Sequence, residues 1–118
     1  DWYTGGVISY ANEVKMGLLG VRREDLASEG AVSEPVVRSM ALGACLAAGA
    51  EAAMATSGVA GPGGGTAQKP VGTVWIGWAL SGRTRAKVFH FEGNREVRVQ
   101  AARQAMAGLV AWLKEETL

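Results

Sequence analysis

The least ordinary stretch of this sequence is Gly58-Val59-Ala60-Gly61-Pro62-Gly63-Gly64-Gly65-Thr66. Closely spaced glycines carry no Cβ, so their backbone N–H groups can converge on an anion or a developing oxyanion. Thr56, Ser57 and Thr66 place hydroxyls beside it. The stretch is not a Walker loop, because no Gly-Lys-Ser/Thr closes it, and no helix follows directly as a dinucleotide fingerprint requires. Spacing alone leaves two readings open, a ligand-binding loop and a structural turn. Pro62 and the Lys69-Pro70 step stiffen the chain, which favours a preorganised site.

A second cluster is Tyr10-Ala11-Asn12-Glu13-Val14-Lys15. Tyr10 ends an expected strand and Lys15 sits on the short helix after it, and strand ends in α/β sheets are where ligands gather. A lysine whose pKa is lowered by desolvation can take a proton from a serine. A tyrosine can donate to the same site or relay protons for it. By residue type alone, a solvated lysine and a half-buried tyrosine are the plainer reading.

Other reactive side chains carry less. His90, the only histidine, lies in an alternating strand and reads as a satisfied structural residue. With one histidine and one distant cysteine, no zinc site is expected. Cys45 lies among Ala44, Leu46 and Ala47 and reads as a small core residue of a reducing cytosol. Arg95, Arg98 and Arg103 read as a solvated helix face. The tryptophans fall at core periodicities, with Trp2 the exception.

The elements that must position these groups follow from periodicity. Val7-Ile8-Ser9-Tyr10 reads as a short strand, and Asn12 as the N-cap of a brief helix through Leu19, closed by Gly20. Residues 22–29 form a helical turn ending at Gly30. Ser33, followed by Glu34 and Pro35, reads as the N-cap of a helix over 33–48, with Val36, Met40, Ala44 and Ala48 on its buried face. Residues 52–60 read as a buried strand running into the glycine loop. Val74, Ile76, Trp78 and Leu80 then alternate against Trp75 and Gly77, so both faces of that strand are expected to be covered. Ser81-Gly82 turns the chain into a returning strand through 86–91. Asn94 caps a last helix to about residue 116, its stripe formed by Val97, Ala101, Ala105, Leu109, Trp112 and Leu113. This order predicts a mixed sheet with helices covering it.

Composition sets the outer bounds. The chain has 118 residues, 48% apolar and 19% charged, which fits one globular domain over 1–118. A formal net charge of +1 gives no surplus for broad attraction to nucleic acid. No apolar run reaches the roughly 20 residues a bilayer span needs, and no secretory signal is present. The chain opens Asp1-Trp2-Tyr3 with glycines close behind, where a domain boundary would more often carry a polar linker. The expectation is a domain lacking N-terminal elements, whose exposed sheet edges favour a homo-oligomer.

Three segments in one register, residues 10–15 (YANEVK), 30–37 (GAVSEPVV) and 57–75 (SGVAGPGGGTAQKPVGTVW), resemble the CinA C-terminal domain family. Residues 93–100 (GNREVRVQ) are similar to the family's opening of its last helix. The resemblance implies a three-layer α/β/α sandwich with a mixed sheet. It implies a cytoplasmic, cofactor-free amidase that converts nicotinamide mononucleotide, a small-molecule nucleotide, to nicotinate mononucleotide and ammonia. In the family a serine attacks the carboxamide, helped by a tyrosine and a lysine, and Tyr10 and Lys15 match those two. Asn12, Thr56, Ser57, Gly58, Gly61, Gly64, Gly65 and Thr66 are the expected substrate-binding residues. The chain departs from the pattern twice. The family serine belongs to a Ser-Cys-Thr-Gly-Gly-like motif a few dozen residues upstream of the matched part, and Thr4-Gly5-Gly6 is too close to Tyr10 to be it. The family loop also commonly reads Gly-Pro-Asp-Gly-Gly, where this chain has Gly63. A nucleotide-binding or regulatory module without catalysis is the alternative.

Overall fold

The computed structural model describes residues 3–92 and 96–116. Seven elements follow in order: α1 (Asn12–Gly17), α2 (Arg23–Glu29), α3 (Glu34–Ala48), β1 (Ala52–Gly58), β2 (Thr73–Leu80), β3 (Arg83–His90) and α4 (Val97–Glu116). The strands form one sheet in the order β1-β2-β3, with α3 against one face and α4 against the other. This is the expected α/β/α sandwich. All pairing among the described residues is antiparallel, because both connections within the sheet reverse the chain, so no parallel pair makes it mixed there.

Strand β2 shows why two helical layers are needed. Its central position exposes neither edge, and from Val74 to Leu80 its side chains are apolar on both faces. Val74, Ile76, Trp78 and Leu80 pack with Val97, Ala101, Ala105 and Trp112 of α4. Trp75 and Gly77 face α3, where Val36, Val37 and Met40 form a second core with Leu19 and Val21. Burying side chains such as Val36, Val37 and Ile76, each 0% exposed, contributes roughly 1.5–3 kcal/mol apiece. Two glycines permit the close approach of these layers. A Cβ at Gly77 would lie 2.4 Å from the Val37 carbonyl oxygen, and one at Gly108 would lie 2.3 Å from Trp78 Cζ2. The Trp78 indole then donates to the Ala105 carbonyl oxygen at 2.8 Å, which satisfies its buried N–H.

Strands β2 and β3 meet at Ser81 and Gly82, both with positive φ (49° and 82°), as a tight two-residue hairpin requires. Strand β3 is an edge whose Arg83 and Arg85 pair with Glu116 and Glu115 of α4. Arg85 also lies 4.3 Å from the Trp112 ring centroid. On the other face Arg38 of α3 donates to the Thr84 carbonyl oxygen and hydroxyl, at 3.0 and 2.9 Å.

Several local expectations are corrected. Residues 7–10 alternate in exposure as a strand would, yet they join no ladder, because no neighbouring strand among the described residues offers them backbone partners. Helix α1 starts one residue after its N-cap Ala11, so Asn12 is its first residue and not its cap, and it ends at Gly17. Ser33 is the N-cap residue of α3 as expected, but its hydroxyl donates backward to the Gly30 carbonyl oxygen (2.7 Å) and caps no N–H. His90 is exposed, being the last residue of an edge strand, and Ala48 and Leu113 face solvent at the ends of their helices. Cys45 is half-buried, and burial pushes its thiol pKa up. Trp2, Asn94 and Arg95 lie outside the described residues.

Candidate functional site

Lys15 and Tyr10 exchange the environments their residue types suggest. Lys15 is 5% exposed, whereas the Tyr10 side chain is 97% exposed. The reason is local. The chain enters α1 through the extended Ala11, and the first turn of the helix points Lys15 back beneath that entry. Its ammonium donates to the Ser9 carbonyl oxygen and lies 3.5 Å from that of Tyr10. Its own carbonyl accepts from the Val21 N–H at 3.0 Å, which pins the turn after the helix. Desolvation lowers the Lys15 pKa from its ordinary 10.5, because burial penalises the ammonium more than the amine. Glycine again sets the position. A Cβ at Gly43 of α3 would fall 1.8 Å from the Leu19 carbonyl oxygen, so the turn after α1 rests directly on the α3 backbone.

The glycine loop leaves the end of β1 and returns at the start of β2. Its base is closed by Val59 N–H donating to the Thr73 carbonyl oxygen (2.9 Å) and Gly72 N–H to that of Val59 (2.7 Å). Residues 62–68 are exposed. The Thr66 N–H donates to the Lys69 carbonyl oxygen at 3.0 Å, and the Lys69 N–H returns to Thr66 Oγ1 at 3.0 Å. The Gly61–Pro62 peptide is cis. Gly61 has φ +80° and its missing Cβ would meet Val71 Cγ1 at 2.5 Å, while a Cβ at Gly65 would meet the Val71 nitrogen at 2.7 Å. These two glycines are therefore required by packing under the loop. Gly64, with φ +90°, serves the turn itself. At Gly63 nothing lies within 4 Å of a Cβ, so the backbone there does not require glycine for close packing.

Among the other expected binding residues, Thr56 and Gly58 of β1 are exposed on the α4 side of the sheet, and Ser57 is half-buried on the α3 side. Asn12 is exposed at the start of α1. Among the described residues no hydrogen bond joins Lys15 to the glycine loop, so the fold builds the two clusters separately. No group of three His, Cys, Asp or Glu side chains among them is placed to hold a metal ion.

One residue acquires contacts that its residue type does not announce. Lys69 Nζ donates to the Glu29 carbonyl oxygen at 2.5 Å, joining the loop to the end of α2. It lines a groove of about 460 Å³ with Ser28, Glu29, Val32, Ser33 and Trp75. The available signals were a Lys-Pro step closing a glycine run and a glycine ending α2, neither of which says that the two meet.

Residues 1–113 match the family model described as the CinA C-terminal domain. The nicotinamide-nucleotide amidohydrolase PncC of Enterobacter agglomerans is 52% identical over 103 residues, covering 86% of this chain and 63% of that protein. The protein of the same name from Escherichia coli strain K12 is 49% identical over 112 residues, covering 92% and 67%. The crystal structure of the competence damage-inducible protein A from Klebsiella pneumoniae superposes with a TM-score of 0.86 at 44% identity, covering 92% of this chain and 68% of that one. The chain thus spans less than two thirds of the Enterobacter relative, at 63% of its length.

Proposed function

This chain belongs to the CinA C-terminal domain family, and from that premise we propose that it serves an amidase that converts nicotinamide mononucleotide to nicotinate mononucleotide and ammonia. The observation that carries the reading is the buried Lys15, whose lowered pKa suits it to accept a proton. Relatives that share about half of its residues bear the name of that activity. In the proposed reaction a serine hydroxyl, supplied by an upstream segment of the intact protein, attacks the carboxamide carbon. Its proton passes to the neutral amine of Lys15 as the new C–O bond forms. The C–N bond then breaks, and the proton reaches the departing nitrogen, with the open phenol of Tyr10 as relay, so that ammonia leaves. Water attacks the resulting ester, restoring the serine and releasing the carboxylate.

The glycine loop supplies fixed N–H donors. Donors held before charge develops cost no reorganisation during the reaction, and each contributes about 3–4 kcal/mol where it meets an oxyanion. The same amides suit the nucleotide phosphate, and Asn12, Ser57 and Thr66 are the proposed substrate-binding side chains, with Thr56 on the opposite side of the sheet from Ser57. The test is Lys15→Met in the intact protein, which keeps the aliphatic stem and removes the base. Ammonia release should fall at least about 100-fold, the usual worth of a general base, with the thermal unfolding transition still cooperative. Unchanged release would remove Lys15 from the mechanism.

A further inference from the structure

We infer that Lys69 is a positioning residue, mooring the glycine loop to the end of α2 and so holding the loop's amides in the shape that receives substrate. The assignment of those amides to substrate rests on the amidase reading; the mooring itself does not.

Glycine has the greatest backbone freedom of any residue, so a run such as Gly63-Gly64-Gly65 keeps one shape only if its surroundings hold it. The β-sheet end fixes the loop at residues 59 and 72–73. Beyond that base the exposed segment is pinned at Lys69, by three hydrogen bonds in two directions. Two of them, to the N–H and hydroxyl of Thr66, close the turn that ends the glycine run. The third runs from the ammonium to the Glu29 carbonyl oxygen, 40 positions away in sequence.

The receiving end is built for a cation. Glu29 is the last residue of α2, so its carbonyl is one of those a helix leaves without an internal partner, and positive charge is favoured there. Gly30 turns the chain away with φ +78°, and a Cβ at that position would sit 3.3 Å from Lys69 Nζ. The lysine therefore reaches into a corner that glycine leaves clear. That corner also receives Ser33, whose hydroxyl donates to the Gly30 carbonyl oxygen just ahead of α3. Loop, α2 and the start of α3 are thereby joined at one point, and loss of the ammonium leaves the glycine amides to be ordered by the substrate instead.

The test compares Lys69→Met and Lys69→Arg in the intact protein by amide hydrogen exchange and by kinetics on nicotinamide mononucleotide. In Lys69→Met, exchange at the Thr66 amide, the loop N–H held by the Lys69 carbonyl, should quicken and KM should rise, each by about tenfold, as loss of one charge-assisted hydrogen bond implies. Exchange in α4 should stay near wild type, and Lys69→Arg should restore both the slow exchange and the low KM. Unchanged exchange in Lys69→Met overturns the mooring, as does an arginine variant that behaves like the methionine one. Faster exchange with unchanged KM overturns the link to substrate. If the wild-type protein turns over no nicotinamide mononucleotide, the amidase reading fails while the exchange data still decide the mooring.

Discussion

As the proposed base, Lys15 works only when neutral, and its burial moves that condition toward lower pH. Two consequences follow. The turnover rate should climb with pH through the lowered lysine pKa, and that limb should be absent from whatever activity remains in Lys15→Met. Stability carries the same signature with a definite sign. Between the folded pKa and the ordinary 10.5, the unfolded chain holds a proton at Lys15 that the folded chain has released. Stability therefore rises with pH across that window, is complete above it, and is lost as pH falls through the folded value. The Tm of wild type relative to Lys15→Met should increase as pH is raised toward 10.5, and a constant difference would show that the lysine is not desolvated. None of this is legible from residue type, which reads Lys15 as solvated and Tyr10 as half-buried. The inversion comes from the register of a single turn, because Lys15 folds back under Ser9 while the phenol is carried outward.

At the level of elements, glycines set the distances between layers. Gly43 lets the turn after α1 lie on α3, and through it fixes where Lys15 stands. In Gly43→Ala the new Cβ would overlap the Leu19 carbonyl oxygen at 1.8 Å, so backbone must shift. The expected cost is at least about 1–3 kcal/mol, the range for overpacking, read as a fall in Tm. Gly17→Ala, where nothing lies within 4 Å, should be neutral or stabilising, since alanine favours a helix by up to about 1 kcal/mol over glycine. Equal losses in the two variants would contradict the close-approach account. The long elements were legible because strong periodicities drive them, as in the alternation of β2 and the stripe of α3. The short ones were legible only in part: α2 ends at Gly30 as expected, whereas α1 begins at Asn12 but stops at Gly17. Residues 7–10 carry a strand pattern but lack a partner to complete it, and Ser33 has a cap's identity but spends its hydroxyl on Gly30. Pairing and hydrogen-bond choice are decided by what lies across space, which a local pattern does not contain.

For the molecule as a whole, the three layers close around two cores that share β2, and the Cα radius of gyration of 13.8 Å is close to the about 13.5 Å expected for this length. The sheet's edges differ in character. Strand β3 carries Arg83, Arg85 and Lys87, a usual guard against unwanted pairing, whereas β1 carries no charge. The glycine loop and Lys15 are attached to this frame at separate points, one at the sheet's end and one on α1. The central claim is that an amide bond is hydrolysed where these clusters serve a common substrate. It is tested most directly by incubating the intact wild-type protein with nicotinamide mononucleotide and measuring nicotinate mononucleotide and ammonia together. The account predicts that both appear in equal amounts without an added cofactor. Saturable binding of the nucleotide with no release of ammonia would contradict it and make the domain a binding module instead.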